Sequence, residues 1–169
     1  MSHSEIRSER QLLTTEILRT TEVTDWMKTF DEQQYPHADL TAEIIASAKE
    51  VHEGMRPGLD EKLYERALCI EFADRAIYFD LQKTFSVTYK SHYIGDLIPD
   101  LIVDGRVIVD LKVVDSFNDT HVAQMLGYLN ITGLEIGLLI NFKHARLQIK
   151  RVANLKNHQQ APTCTTQNQ

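Results

Sequence analysis

The sequence feature that most constrains the fold is the stretch at residues 97–114, where charged side chains interrupt apolar runs. The runs meet at Asp104-Gly105, a turn signal between β-branched segments that predicts a β-hairpin. The charged residues within the runs are Asp100, Asp110 and Lys112. A charge in a buried strand is costly unless it is paired or binds a metal. The pattern therefore indicates a cation site, in which two carboxylates hold a divalent ion beside a lysine.

The length of the hairpin loop decides whether these charges share a face. Side chains alternate along a strand, so Asp110 and Lys112 lie on one face, and Asp100 joins them only across a loop with an odd number of residues. We expect a three-residue loop at 103–105, with Gly105 in the left-handed bulge position and Asp100 diagonal to Asp110. A two-residue turn would put Asp100 on the opposite face and would count against a metal site.

Composition places the chain among ordinary soluble globular proteins. Its 169 residues suffice for one domain with a core, and its hydrophobic fraction of 43% and charged fraction of 25% are typical. No apolar run is long enough to span a membrane, and the polar N-terminus has no signal-peptide hydrophobic region. The two cysteines, Cys69 and Cys164, form no disulfide framework. We therefore expect a cytoplasmic protein without a membrane partner.

The charge distribution bears on nucleic-acid binding. A net charge of −6 argues against a protein that coats nucleic acid electrostatically, but it is compatible with a nuclease, because a bound cation supplies local positive potential. The remaining basic residues cluster near the C-terminus as Lys143, His144, Arg146, Lys150 and Arg151. A solvated edge strand and a rim that contacts phosphate explain this cluster equally well.

The chain divides into three predicted regions. Residues 1–38 form an N-terminal extension with a loosely docked helix, residues 39–153 form one domain, and residues 154–169 form a disordered tail.

Within the domain, periodicity predicts a mixed central sheet flanked by helices. The predicted helices are 40–53, capped by Thr41, 59–75, with Leu63 and Ile70 among its apolar residues, and 119–132, ended by Gly133. The predicted strands are 77–81, 84–90, 93–103, 106–114, 134–142 and 146–152. The continuous apolar run at 134–142 indicates a strand covered on both faces.

Asp100, Asp110 and Lys112 also match a chemical pattern: Pro-Asp, nine residues, then Asp-x-Lys. Mg²⁺ binds one or two carboxylates and keeps several waters, one of which can attack phosphorus. Lys112 would orient or deprotonate that water, or neutralise the developing charge, and the carbonyl of Leu111 is placed to bind the metal. The pattern alone is weak, and an exposed edge hairpin whose Asp and Lys pair explains it equally well.

Other polar residues are weaker candidates when each is taken alone. Glu61, at the start of the second helix, suits the helix dipole, and its functional alternative is a third carboxylate that reaches the metal directly or through water. Gln124 and Tyr128 share a helix face, either as a polar surface or as site-lining groups that contact phosphate. For the isolated His52 and His121 a structural role is favoured. Zinc-type spacings, Gly-rich phosphate loops and nucleophile elbows are absent from the sequence.

Several short motifs in register resemble the GxxExxY family of small bacterial proteins. The signature residues Gly58, Glu61 and Tyr64 stand at the family's spacing, and the resemblance covers roughly residues 40–152. The other matching motifs are Tyr89-Lys90, Gly95, the Asp100 strand, Asp110-Leu111-Lys112, Gln124-Met125-Leu126 with Tyr128-Leu129, the run from Gly137 to Phe142, and Lys150-Arg151-Val152.

That family is similar to the PD-(D/E)XK nuclease superfamily, and its Gln-x-x-x-Tyr helix resembles the RecB-like branch. The resemblance implies a restriction-endonuclease-like α/β fold. The roles that it implies are metal ligands at Asp100 and Asp110, a catalytic lysine at Lys112, an acidic helix residue at Glu61, and site-lining groups at Gln124 and Tyr128. The chain departs from the family at Asp110, where Glu is usual, and at Met55-Arg56, which replace a glycine-rich approach to Gly58.

Two functions of different classes are compatible with these residues. The first is a nuclease dependent on Mg²⁺ or Mn²⁺, acting on nucleic acid, with DNA favoured. In this hypothesis Asp100, Asp110 and Glu61 gather the metal, and Lys112 acts on the attacking water. The second is a non-catalytic nucleic-acid-binding or protein-interaction module that retains the nuclease fold. The acidic composition favours the second, whereas three charges in a core hairpin favour the first. A homodimer that builds its cleft at an interface is compatible with either.

Overall fold

A computed structural model describes residues 35–154, so the predicted N-terminal helix and C-terminal tail lie outside the described residues. The elements are α1 (Ala38–Met55), α2 (Glu61–Asp74), β1 (Phe79–Leu81), β2 (Phe85–Tyr89), β3 (His92–Leu97), β4 (Leu101–Val103), β5 (Val107–Lys112), α3 (Asp119–Thr132), β6 (Ile136–Asn141) and β7 (Gln148–Ala153). In this part of the chain, no helix has both the length and the apolar character to cross a membrane.

Five strands form a mixed central sheet in the order β1-β4-β5-β6-β7. The strands β5 and β6 are parallel, and the other neighbouring pairs are antiparallel. Parallel strands need a crossover connection, which α3 supplies here. The prediction of a mixed central sheet flanked by helices is confirmed. Because β5 is the middle strand, its charges do not lie on an exposed edge hairpin.

The helices cover opposite faces of this sheet. The helices α1 and α2 pack on one face against Val107, Val109 and Leu111 of β5. The helix α3 packs on the other face, against Ile108 of the same strand. Every residue of β6 is buried, as expected for the continuous apolar run. The alternation along β5 therefore separates the interior into an α1/α2 side and an α3 side.

One expectation about the first helices is wrong. The helix α1 begins at Ala38, so Thr41 lies inside its first turn rather than at its cap. On α2, Leu63 and Ile70 are exposed by 40% and 63%. The buried stripe of α2 instead contains Tyr64, Leu68 and Phe72, which are fully buried and recur every four residues.

The predicted strand at 93–103 is divided into two strands in different sheets. Its first part, β3, pairs with β2 in a separate two-stranded sheet, and its second part, β4, joins the central sheet. Pro99 lies between them, lacks a backbone N–H and restricts the residue before it, so it ends the ladder. The turn between β2 and β3 consists of Lys90 and Ser91, both with positive φ, one residue earlier than predicted.

The loop between β4 and β5 has the predicted three residues, but they are 104–106 rather than 103–105. Asp104 and Gly105 have φ of 51° and 64°, and the N–H of Arg106 donates to the carbonyl of Val103 at 3.0 Å. The turn forms at Asp-Gly, and the extra residue follows it, so that Val103 pairs with Val107. Because the loop still has an odd number of residues, Asp100 lies on the same face of the sheet as Asp110 and Lys112.

A close approach at Gly137 fixes α3 on the sheet. A Cβ atom added at Gly137 would lie 2.2 Å from Sδ of Met125, closer than any real contact. The helix ends at Gly133, which has φ of 76° and donates its N–H to the carbonyl of Leu129. The absence of a side chain at Gly137, which pairs with Ile108 of β5, thus sets how closely α3 approaches the sheet.

Candidate active site

Three of the predicted site residues lie on the α3 face of the sheet. Asp110 and Lys112 follow Ile108 at alternate positions of β5, and Ile108 packs on the α3 side. Leu101 pairs with Val109, so Asp100, one residue before β4, stands across from Asp110. The structure therefore brings together the two carboxylates and the lysine, with Asp100 opposite Asp110 rather than diagonal to it.

Asp110 and Lys112 form a largely buried ion pair. The distance from Nζ of Lys112 to Oδ2 of Asp110 is 2.8 Å, and the side chains are 14% and 4% exposed. The contact is an ion pair rather than an aligned hydrogen bond, and within the described residues Oδ2 has no hydrogen-bond donor. A carboxylate buried in this way lacks the full set of contacts that would offset its loss of water.

The carboxyl group of Asp100 is crowded against the same pair. Its Oδ2 accepts a hydrogen bond from the N–H of Leu111 at 3.2 Å. Burial and then the neighbouring Asp110 raise the pKa of Asp100 from 3.8 to about 6, against the opposing effects of the Leu111 N–H and Lys112. Two acidic groups compete for one site, which is the condition that a shared cation relieves.

Lys112 remains a cation at this site. Burial lowers its pKa, but the close contact with the Asp110 carboxylate and the charges of Glu61 and Asp100 outweigh burial and raise the pKa overall. Its ammonium group therefore persists near neutral pH. In this form it supplies a positive charge and hydrogen-bond donors rather than a free base.

Glu61 approaches the site from the start of α2. Partial burial raises the pKa of its carboxyl group, Lys112 lowers it, and Asp100 raises it further. The backbone N–H of Val113, just beyond β5, lowers the pKa of this carboxyl group in turn. Glu61 is thus electrostatically linked to both Asp100 and Lys112, although it comes from the opposite face of the sheet.

Tyr64 positions the loop that precedes Glu61. Its hydroxyl donates to the carbonyl of Arg56 at 2.7 Å and accepts from the N–H of Leu59 at 3.2 Å. Its ring stacks on Phe142, with centroids 4.6 Å apart and planes at 15°. Tyr64 is therefore a buried anchor rather than a group in the site.

The helix α3 brings Tyr128 toward the carboxylates. Burial, then the charges of Asp110 and Asp100, raise the pKa of Tyr128, against a hydrogen bond from Gln124. The Nε2 atom of Gln124 donates to the Tyr128 hydroxyl at 3.0 Å. The two residues share one helix face as predicted, with Tyr128 half-buried and Gln124 exposed.

The two candidate histidines make structural contacts. Nε2 of His52 lies 2.8 Å from the carbonyl oxygen of His144. His121 completes a capping box with Asn118 at the start of α3, where its backbone N–H donates to Oδ1 of Asn118 and its Nδ1 accepts from the Asn118 N–H. Neither contact involves the carboxylate cluster.

Asn141 is a site-adjacent residue that the sequence analysis missed. It pairs with Lys112 in the parallel register and is fully buried. Its side chain accepts from the N–H of Val114 at 3.1 Å and donates to the carbonyl of Val114 at 2.7 Å. Asn141 therefore holds the chain just beyond β5. A polar residue at the end of an apolar strand parallel to β5 was the available signal, because the carboxyl ends of parallel strands share one edge.

The donor groups present fit a hard divalent cation held by two carboxylates. Among residues 35–154, no three His, Cys, Asp or Glu side chains come close enough to hold a metal by themselves. Asp100 and Asp110 remain, and the latter has a buried oxygen without a hydrogen-bond donor among these residues. Mg²⁺ sites in proteins commonly use one or two carboxylates and complete the shell with water or substrate phosphate.

Comparisons with known proteins place this arrangement in a family. No curated protein matches the sequence significantly. A solved structure described as the crystal structure of SSO0001 is similar at 12% identity, with a TM-score of 0.45. The match covers 76% of this chain and 61% of that one, and a likeness at this level adds no evidence on function. The family model of the PD-(D/E)XK nuclease superfamily matches residues 38–152, so the chain belongs to the PD-(D/E)XK nuclease superfamily.

Proposed function

We propose that this protein is a nuclease dependent on Mg²⁺ or Mn²⁺ that hydrolyses phosphodiester bonds in nucleic acid, with DNA as the favoured substrate. The observation that carries the proposal is the convergence of Asp100, Asp110 and Lys112 at the end of the middle strand. Superfamily membership supports nuclease chemistry. We also propose the GxxExxY family and a RecB-like relationship as the narrower placement.

In this proposal the two aspartates hold the metal. Asp110 presents a buried oxygen, and Asp100 lies across from it with one oxygen tied to the Leu111 N–H. The carbonyl of Leu111 is the candidate backbone ligand. A bound divalent ion would neutralise phosphate charge and lower the pKa of a water at the site.

The other residues act on substrate and water around that site. Lys112, held in its charged form, donates to a phosphate oxygen and balances the charge that develops there. Glu61 orients water from the α2 side, because it lies near Lys112 and Asp100 without forming a three-carboxylate cluster. Tyr128 and its partner Gln124 line the α3 side, where their donors can reach phosphate.

The test is cleavage of labelled double-stranded DNA, single-stranded DNA and RNA with Mg²⁺, Mn²⁺ or a chelator. We expect metal-dependent cleavage by the wild type and its loss in Asp110→Asn, which keeps the size of the side chain. The matched control is Asp74→Asn, the same change at an exposed position at the end of α2. The control should cleave as the wild type does.

The outcomes separate the two classes of function. Full activity in Asp110→Asn would remove the residue from the mechanism, and equal loss in Asp74→Asn would make the effect non-specific. Nucleic-acid binding without cleavage under any metal condition would favour the non-catalytic module. The cytoplasmic location expected from the sequence stays a prediction, and a homodimer stays an arrangement compatible with either function.

A further inference from the structure

We propose that β7 and the loop before it bind the phosphate backbone of the nucleic acid beside the carboxylates, through Arg146, Gln148 and Lys150. This inference rests on the proposed function, since it names the surface along which the substrate of that site lies. It also decides between the two interpretations of the C-terminal basic cluster, in favour of a phosphate-contacting rim.

The strand register connects β7 to the site. Asp110 pairs with Leu139 of β6, and Leu139 pairs with Lys150 of β7. In the next row, Lys112 pairs with Asn141, which pairs with Gln148. Because neighbouring strands are about 4.8 Å apart, the backbones of Asp110 and Lys150 are separated by about 10 Å. An extended lysine spans much of that distance.

Two polar side chains of β7 face the same side of the sheet as Asp110. Ile149 packs against the core under α1 and α2, whereas Val152 packs against the core under α3. Because side chains alternate along a strand, Gln148 and Lys150 point to the α3 face, which also carries Asp110. Both are exposed, and Gln148 is held by a hydrogen bond of 3.0 Å from Nδ2 of Asn141.

The local charge matches a polyanion although the whole chain is acidic. Residues 136–154 contain no Asp or Glu, against a net charge of −6 for the protein. Lys143 in this segment is already paired with Asp115 at 2.6 Å. Arg146 and Lys150 are exposed and make no ion pair with the described residues, so their charges are available to a ligand.

A phosphate backbone suits this surface better than an apolar partner does. The exposed groups are a guanidinium, an amide and an ammonium, which donate hydrogen bonds to phosphate oxygens. Protection of an edge strand would also explain the lysine, but it does not require Lys150 and Gln148 to lie in the rows of Asp110 and Lys112. Continuity with those rows is what points to the substrate.

The experiment measures binding of a fluorescent DNA duplex by anisotropy, with a chelator to prevent cleavage, using the full chain. The test variant is Arg146→Ala/Lys150→Ala. The matched control is Lys49→Ala/Arg66→Ala, which removes two exposed charges from α1 and α2. We expect the test variant to bind at least tenfold more weakly, and the slope of log affinity against log salt to fall by about 2. The control should bind within twofold of the wild type, and thermal unfolding should show that all three proteins are folded.

Three outcomes would overturn the inference. If the control variant lost as much DNA affinity as the test variant, the effect would reflect the overall charge of the protein rather than a contact at β7. Unchanged binding in the test variant, with weakening in Lys90→Ala at the tip of the β2–β3 hairpin, would place the backbone on that hairpin. Absence of wild-type binding to DNA and RNA would overturn both this surface and the proposed function.

A cleavage assay on the same proteins separates the two proposals. If only Arg146→Ala/Lys150→Ala loses DNA binding, and the wild type cleaves under no condition, the results would support the phosphate-binding surface and contradict the nuclease proposal. Cleavage by the wild type, with unchanged binding and cleavage in Arg146→Ala/Lys150→Ala, would contradict the surface and leave the nuclease proposal intact.

Discussion

The two faces of the central sheet differ in what they contribute. The α1/α2 face is apolar along its strands, with fully buried residues such as Val109, Leu111 and Leu138. The α3 face contains a smaller apolar cluster and, beside it, the charges of Asp110 and Lys112. One strand, β5, contributes to both. Stability is therefore concentrated on one side, and the groups suited to chemistry are held on the other by the same backbone.

The difference shows how a fold can support a costly site. Burial of apolar side chains stabilises by about 25 cal/mol per Å² removed from water, whereas buried carboxylates are a net cost without a cation. Because the apolar side chains and the charged ones alternate along β5, the packing of the apolar side chains fixes the position of the charged ones. Variants that alter one face at a time test this division.

The largest effect is expected for Lys112→Met on the α3 face. We predict a loss of cleavage of at least about a hundredfold, because the charge that stabilises the transition state is removed. Without metal, the free energy of unfolding should also fall by about 3 kcal/mol, since Asp110 is left buried without its ion-pair partner. Single-turnover cleavage and urea unfolding measure the two effects.

The double variant Lys112→Met/Asp110→Asn is the control for this prediction. It removes both charges and should recover most of the lost stability while remaining inactive. A single variant that is as stable as the wild type would show that the pair is not buried as described.

The next effect, on stability alone and without a loss of the charged site residues, is expected for matched substitutions in β6. Leu138 faces α1 and α2, Leu139 faces α3, and both are fully buried. We predict that Leu138→Ala lowers the free energy of unfolding by about 3 kcal/mol and Leu139→Ala by about 2 kcal/mol, because the larger core collapses less readily around a cavity. Chemical unfolding measures both, and a reversed order would contradict the concentration of stability on the α1/α2 face.

The contact between α3 and the sheet gives the next smaller effect. A Cβ atom in Gly137→Ala meets the flexible side chain of Met125, so we predict a loss of about 1–2 kcal/mol. Met125→Ala should be less harmful in the Gly137→Ala background than in the wild type. A double-mutant cycle measures this coupling, and strict additivity would show that the two residues do not determine the approach of α3.

The smallest effect is a pH-dependent gain in stability for Asp100→Asn. The pKa of Asp100 is raised to about 6 in the folded protein, so wild-type stability falls as pH rises from about 4 to about 6. The variant lacks this loss. Allowing for solvent screening, it should be more stable by about 1 kcal/mol at pH 7 without metal, and equal to the wild type near about pH 4. A gain that is independent of pH would contradict the cause assigned here.

The parts of the fold set by local chemistry were predictable from sequence. The bounds of α3 match the prediction of 119–132, because Asn118 caps its start and Gly133 supplies a left-handed residue at its end. The odd-numbered loop that keeps Asp100 and Asp110 on one face followed from the need to keep the charges together. Its position was wrong by one residue, because the turn forms on Asp104-Gly105 themselves.

The parts set by long-range packing were not predictable in the same way. The separation of β3 from β4 depends on which strands they pair with, and the local signal was Pro99 alone. Tyr64 matched a family motif, but its buried contact with Phe142 joins residues far apart in sequence. In the sequence, Asn141 lies within an apolar run. Its hydrogen bonds to the backbone of Val114 form only when β5 and β6 pair in parallel.

The most direct test of the division between the faces is a calorimetric titration with Mg²⁺ and Mn²⁺ of the wild type and Asp100→Ala, each with and without an oligonucleotide. We predict saturable binding at one site in the wild type and its loss in the variant, with both proteins folded. Equal binding in the two proteins, or no binding by the wild type at millimolar metal even with the oligonucleotide, would contradict a metal site on the α3 face.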